Sequence, residues 1–266
     1  MNELGAMQRQ IMNPNGHRYQ VDFWPAPSSA HNAPLLIVLD GVWVQDSLDA
    51  FLQGTPQRAF HLLSVSHSQL LTPQGTRYRA YDYTPLGPNQ TTVDPRVPDW
   101  QCGGAPAFRN LLWQHILPQL CAATSTEFER IVLYGHSYAG LFCVWEALQA
   151  STPAQYFLAA SPSLWWHWPW AMTYLAEQPL SHAQPRHLRL WVGEHEQWHP
   201  QPMHNHQPRG AGQPTAPLAE RFAAQLTRLR PNWTVRVQTV PHFDHGRMLT
   251  HSAQLALQHT QAMATS

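Results

Sequence analysis

The chain contains no lysine. All 16 of its basic residues are arginine, and 16 acidic residues balance them to a formal net charge of zero. Charged residues occupy only 12% of the 266 positions. With no basic excess to displace counterions from phosphates, a general nucleic-acid binder is excluded. Long apolar runs are missing as well: the longest, Leu35 to Val44, is interrupted by Asp40, far short of the roughly twenty residues a spanning helix needs. Cysteine is scarce. Cys102, Cys121 and Cys143 have no metal or redox spacing and leave one thiol over in any pairing scheme, so they read as reduced thiols. Met1 to Gly16 is polar and has no apolar stretch of the kind a secretory leader carries. The expected compartment is the cytoplasm, with the periplasm as the alternative if a leader has been removed.

What is abundant is equally informative. A hydrophobic fraction of 43%, with 12 Trp, 17 His and 24 Pro, excludes a disordered chain. At this length one α/β domain spanning residues 1–266 is expected, with 1–16 as a flexible N-terminal segment. Arg18 to Phe23 alternates as an edge strand would. Leu35 to Leu39 is a continuous apolar run suited to a strand covered on both faces. Phe60 to Val65 is a further strand. Ser66 to Gly104 lacks periodicity and reads as surface loop. Ala107 to Leu120 has helical spacing, with Pro118 bending its last turn. Strands are expected at Arg130–Tyr134, Tyr156–Ala160, His187–Val192 and Val235–Val240, and helices at Leu141–Ala150, Pro217–Arg230 and Met248–Ala262. Strands alternating with helices predict a mostly parallel sheet covered on both faces.

One turn carries chemistry. Gly135-His136-Ser137-Tyr138-Ala139-Gly140 lies between an apolar strand and a helix, the setting in which a G-x-S-x-G motif exposes a nucleophilic serine. The same turn also suits a serine that merely caps the helix. As nucleophile, Ser137 would have its own helix N-terminus, including the amide of Tyr138, to stabilise a developing oxyanion. A serine nucleophile needs a base and an orienting acid, and in α/β-hydrolases, where the G-x-S-x-G turn has this strand–helix setting, the chain order is Ser, acid, His. The loop after the last strand offers His242 and His245, and His245 is preferred because Gly246 lets the loop turn toward the site. Glu194 and Glu196 follow the penultimate strand, and Asp244 is a third candidate acid.

Further motifs fall in a fixed order: Leu39-Asp40-Gly41, Arg79-Ala80-Tyr81-Asp82-Tyr83-Thr84-Pro85, Gly103-Gly104-Ala105, Ser161-Pro162-Ser163-Leu164-Trp165-Trp166, Gly193-Glu194-His195-Glu196-Gln197 and His245-Gly246-Arg247-Met248. Together with the serine turn they resemble the bacterial enterobactin and salmochelin trilactone esterases, a branch of the α/β-hydrolases, from about Arg18 to the C-terminus. The resemblance implies the α/β-hydrolase fold and a serine esterase that cleaves the trilactone esters of a catecholate siderophore. It implies Ser137 as nucleophile, His245 as base, and the amides of Val42 and Tyr138 as oxyanion donors. Some members of this group work with a Ser–His pair alone, so the acid stays open between Glu196 and Glu194.

The implied partner is an anionic catecholate, iron-free or ferric. Arg79 and Arg77, in a tyrosine-rich segment, and Trp165 and Trp166 suit it, since guanidinium carries fixed charge and stacks on aromatic rings. No cofactor, resident metal or membrane span is called for. Ala139 and Arg247 depart from the group's usual Gly and Pro, and 197–217 is unusually rich in Pro and His. Two rival readings remain: a general carboxylesterase or thioesterase of the same fold, and a non-catalytic binder of metal or siderophore through His195, His199, His204 and His206. Prolines at 200, 202 and 208 argue against a helix presenting those histidines together.

Overall fold

The computed structural model describes residues 7–12, 16–27, 32–177, 184–197 and 215–265. Its eight strands are β1 (Met7–Met12), β2 (Arg18–Trp24), β3 (Leu35–Leu39), β4 (His61–His67), β5 (Ile131–His136), β6 (Tyr156–Ala160), β7 (His187–Gly193) and β8 (Thr234–Val240). They form one sheet in the order β1-β2-β4-β3-β5-β6-β7-β8. The six strands from β4 to β8 run parallel, while β2 is antiparallel to both β1 and β4. The mostly parallel sheet is the one expected from the alternation of strands and helices, and its architecture is the α/β-hydrolase fold that the resemblance implies.

The period-2 geometry of β3 explains its unbroken apolar sequence. Leu35, Ile37 and Leu39 enter the core on one face, and Leu36 and Val38 enter a second core on the other. The second core is closed by α1 (Gln45–Gly54), through Leu48 and Leu52, and by α8 (His245–Thr265), through Met248, Ala256 and Leu257. The first face carries α3 (Ala105–Asn110), α4 (Leu117–Thr124), α5 (Tyr138–Ala147), α6 (Trp170–Glu177) and α7 (Thr215–Leu229).

Three expectations need correction. Residues 7–12 are not a flexible segment: their backbone pairs with all of 18–23, so β2 is an inner strand. An unpaired strand edge leaves its N–H and C=O groups open, and a neighbouring backbone satisfies them whatever its side chains. The stretch 66–104 contains α2 (Pro73–Asp82), which begins with Thr72 Oγ1 accepting the Gly75 N–H (3.1 Å) and with Pro73 in the first turn. Its apolar residues gather on no one face, so periodicity could not find it. In the 105–124 stretch the irregularity precedes Pro118 rather than following it: residues Leu111–Ile116 form a π turn and Pro118 falls in the first turn of α4. The widened turn accommodates a residue that has no N–H to give.

Candidate active site

The carboxyl ends of β3, β5 and β6 meet along one rim of the sheet, and each is followed by a residue with positive φ: Asp40 (59°), Ser137 (60°) and Ser161 (42°). Non-glycine residues in such conformations persist only where surrounding bonds over-determine them. At Ser137, with ψ at −116°, those bonds are visible. Its N–H donates to Ala160 O (2.9 Å), and its carbonyl accepts from Leu141 N (2.9 Å) and Ser163 N (3.2 Å). The turn also needs small neighbours. A Cβ on Gly135 would run into the Ala139 carbonyl, and one on Gly140 would stand 2.8 Å from Ala160 O. Ala139 is itself fully buried without displacing the turn, so the departure at that position is accommodated.

The result is a side chain aimed at the loop before α8. His245 Nε2 lies 3.1 Å from Ser137 Oγ, and His245 Nδ1 lies 2.8 Å from Glu196 Oε2. These three residues are 59 and 49 positions apart along the chain and meet because β5, β7 and β8 end on the same rim. His245 keeps an exposed edge, with 40% of its side chain accessible, whereas the Glu196 side chain is 2% accessible. The buried carboxylate is held by charge-assisted bonds: its Oε1 accepts from Ser161 Oγ (2.5 Å) and Gly193 N (2.7 Å). Of the two candidate carboxylates, Glu196 is the one that meets His245. Glu194 is partly exposed and accepts the His242 N–H (2.9 Å). Asp244 caps α8 by accepting the Arg247 N–H (2.8 Å). His242 is exposed.

The preference for His245 rested on Gly246 as a turning point, and that reason fails. Gly246 lies inside α8, has no positive φ, and a Cβ there would meet only Asp244 Oδ1 at 3.6 Å. His245 is positioned instead as the first residue of a capped helix.

Three residues that sequence reasoning passed over complete this half of the site. Ser161 Oγ donates to Glu196 Oε1 and Ser163 Oγ stands 3.3 Å from Ser137 Oγ; both lie in the Ser161–Trp166 segment. His136 is buried, and its Nε2 is 3.0 Å from the His245 carbonyl. Burial holds the His136 imidazole well below the usual histidine range, helped by the proximity of His245 and Arg79. It is therefore neutral, with Nε2–H donating to that carbonyl.

The other half of the site departs further from expectation. The first-turn amide of Tyr138 has no acceptor within α5, as at any helix start. The Val42 amide is already engaged, donating to Ser66 Oγ (3.0 Å), and is not a free donor. Arg79 is 5% exposed. Its Nε donates to Asp40 Oδ2 (2.5 Å), its Nη2 donates to the His136 carbonyl (3.0 Å), and Tyr83 Oη donates to Asp40 Oδ1 (3.0 Å). Burial pushes the Asp40 carboxyl up, against the pull of the Arg79 guanidinium. Arg79 thus ties the end of β3 to the end of β5 and is no solvent-facing anchor. Arg77, two residues earlier on α2 and so on the opposite face of that helix, is exposed, donates to Asp99 O (2.8 Å), and lines a polar hollow with His17, Tyr78 and Tyr81. Trp166 is fully buried in the core and presents no face to a ligand; Trp165 is partly exposed, 6.0 Å from the Tyr138 ring.

His195 shares an exposed corner with Glu194 and His242, with ligand atoms within 4.8 Å of one another; His199, His204 and His206 lie outside the described residues. Among the described residues, no helix is long and apolar enough to cross a membrane.

Comparison with known proteins follows the geometry. Residues 6–228 match the Esterase family, described as "putative esterase". The chain is 34% identical over 141 residues to an apo-salmochelin esterase of Escherichia coli and 31% identical over 131 residues to a siderophore enterobactin esterase of Emericella nidulans. These alignments cover 52% and 45% of this chain and 43% of each relative, so the chain spans less than half the length of the curated relatives it matches. Among solved structures, the siderophore hydrolase EstA from Aspergillus nidulans superposes with a TM-score of 0.78 at 21% identity, covering 97% of this chain and 94% of that one. The enterobactin and salmochelin hydrolase IroE gives 0.73 at 22%, covering 98% and 97%. At such identities the structures establish the shared fold. With the family match extending over most of its length, this chain belongs to the Esterase family, on an α/β-hydrolase fold.

Proposed function

We propose that the protein is a serine esterase that hydrolyses the trilactone esters of a catecholate siderophore. The observation that carries the chemistry is the relay Ser137–His245–Glu196, with contacts of 3.1 and 2.8 Å, at a strained turn opening a helix. His245 Nε2 takes the proton of Ser137 Oγ as that oxygen attacks a lactone carbonyl. Negative charge on the carbonyl oxygen is stabilised by the Tyr138 N–H and the N-terminus of α5. Glu196, accepting from Nδ1–H, fixes the tautomer and stabilises the imidazolium. The departing seryl hydroxyl recovers the proton from His245. Water activated by the same histidine then releases the acyl group and regenerates Ser137.

The substrate class rests on the sequence motifs and on what the matched relatives are named for. We place the enzyme in a reducing compartment, the cytoplasm, because Cys102, Cys121 and Cys143 are all unpaired.

The test is chromatography of products from the cyclic, linear and ferric trilactones. Wild-type protein is expected to open the cyclic form and shorten the linear one. Ser137→Ala is expected to lose about 10⁶ in kcat, the scale on which removing such a nucleophile acts. Hydrolysis retained in that variant would overturn the mechanism. A trilactone left intact by wild-type enzyme that cleaves simple esters would overturn the substrate.

A further inference from the structure

Two guanidinium groups flank the ring of Tyr138, the residue that follows Ser137. Arg79 Cζ lies 5.9 Å from its centroid and Arg96 Cζ lies 4.9 Å from it. They differ in what else they touch. Arg79 is buried and bonded to Asp40. Arg96 is exposed, and its guanidinium forms no ion pair among the described residues. It stands instead over aromatic faces, 5.7 Å from the Trp100 ring and 5.9 Å from the Trp165 ring.

The loop that presents Arg96 is held in place. Asp94 is fully buried, and its carboxylate accepts the N–H groups of Arg96 (2.8 Å) and Val97 (3.1 Å) and the hydroxyl of Tyr138 (2.7 Å). The loop also closes on itself through Asp94 N to Trp100 O (3.0 Å) and Trp100 N to Val97 O (2.8 Å). Tyr138 follows the nucleophile directly. Trp165 comes two residues after Ser163, whose Oγ is 3.3 Å from Ser137 Oγ. The Arg96–Trp165 edge is therefore built onto the reacting centre from two sides, by Asp94 through Tyr138 and by Ser163. Asp94 Oδ1 takes the two backbone donors and Oδ2 the Tyr138 hydroxyl, and no ion pair joins this carboxylate to the Arg96 guanidinium.

We infer that Arg96, with Trp165, forms a recognition element at the edge of the site, selecting esters that carry a planar aromatic ring bearing negative charge. The ring lies against the Trp165 indole, and the guanidinium contacts both its face and its anionic substituent. A pre-ordered loop gives that contact at little entropic cost. This inference rests on the esterase reading above and deepens it, since a catecholate arm is one member of the class.

The experiment uses a matched pair of aryl esters, p-nitrophenyl benzoate and mono-p-nitrophenyl terephthalate, which differ only in an acyl-ring carboxylate. Wild-type enzyme is expected to favour the anionic ester, with a preference that weakens as salt rises. In Arg96→Gln the anionic-to-neutral ratio of kcat/KM is expected to fall about tenfold, mainly through KM, the scale of one desolvated cation contact. In Arg96→Lys part of the preference should return, because charge is restored without the planar stack. An equal loss on both esters, or a ratio unmoved by Arg96→Gln, would overturn the assignment. An Arg96-dependent preference in a protein that leaves catecholate trilactones intact would uphold it while overturning the siderophore substrate.

Discussion

The two halves of this site use similar residues in opposite ways. On the side of β5, β6 and β7, polar groups form a line that ends at solvent: Ser161 and Gly193 hold Glu196, Glu196 holds His245, and His245 reaches Ser137 with an accessible edge. On the side of β3 and β4 the groups close on one another. Arg79 is consumed by Asp40 and the His136 carbonyl, and Val42 by Ser66. The first arrangement leaves an imidazole edge open beside Ser137; the second fixes the ends of two strands. An arginine in an active-site segment is therefore not by that fact a ligand for substrate. What decides is whether a buried carboxylate has claimed it, as with Arg79, or not, as with Arg96.

The contrast is open to direct attack. The largest expected effect is on the relay half. Glu196→Gln keeps the shape and removes the charge that fixes the His245 tautomer, so kcat is expected to fall by about 10²–10⁴, with KM changed little. A loss of less than threefold in steady-state kinetics would show that Ser137 and His245 suffice as a pair.

The bracing half should answer in stability instead. Arg79→Ala leaves Asp40 buried without its partner, a change worth about 3–5 kcal/mol, readable from urea denaturation. Its kcat/KM losses on the neutral and the anionic aryl ester should be alike, because the strut orients both strand ends for any substrate. A selective loss on the anionic ester, with stability intact, would return Arg79 to the role of anchor and break the comparison.

The smallest effect concerns His136, which sits where the halves touch. Its imidazole is held below the usual range of about 6.5 by burial first, then by His245 and Arg79. The unfolded chain therefore binds a proton that the folded one refuses, and this contribution is full above about pH 6.5 and lost as pH falls below it. His136→Gln should flatten the decline in urea midpoint between pH 7.5 and 5 relative to wild type. Asp40 and Glu146, whose carboxyls burial raises, act in the opposite sense but are common to both proteins. An unchanged slope would mean the His136 proton is not excluded by the fold.

Much of the fold was legible because strand burial writes itself as apolar runs: β3 and the start of β5 needed little more than Leu, Ile and Val in sequence. What escaped were elements fixed by backbone satisfaction rather than side-chain pattern. β1 completes an edge, α2 starts from the Thr72 cap with no apolar face, and the π turn at Leu111–Ile116 absorbs Pro118. In the site, the turn singles out Ser137 and chain order singles out His245, and the two side chains do meet, although Gly246 is not what turns the loop. Tryptophan identity misled at Trp166: a ring that suits a ligand suits a core equally well, and burial chose the core.

The sequence by itself determined the succession of the parallel strands, the serine turn, and the short list of bases and acids, because local sterics and apolar periodicity are properties of neighbouring residues. Only the tertiary structure decided between Glu194 and Glu196, turned Arg79 inward and left Arg96 open. Those outcomes depend on which groups from distant segments share a buried volume, where every charge must find a partner and every donor an acceptor.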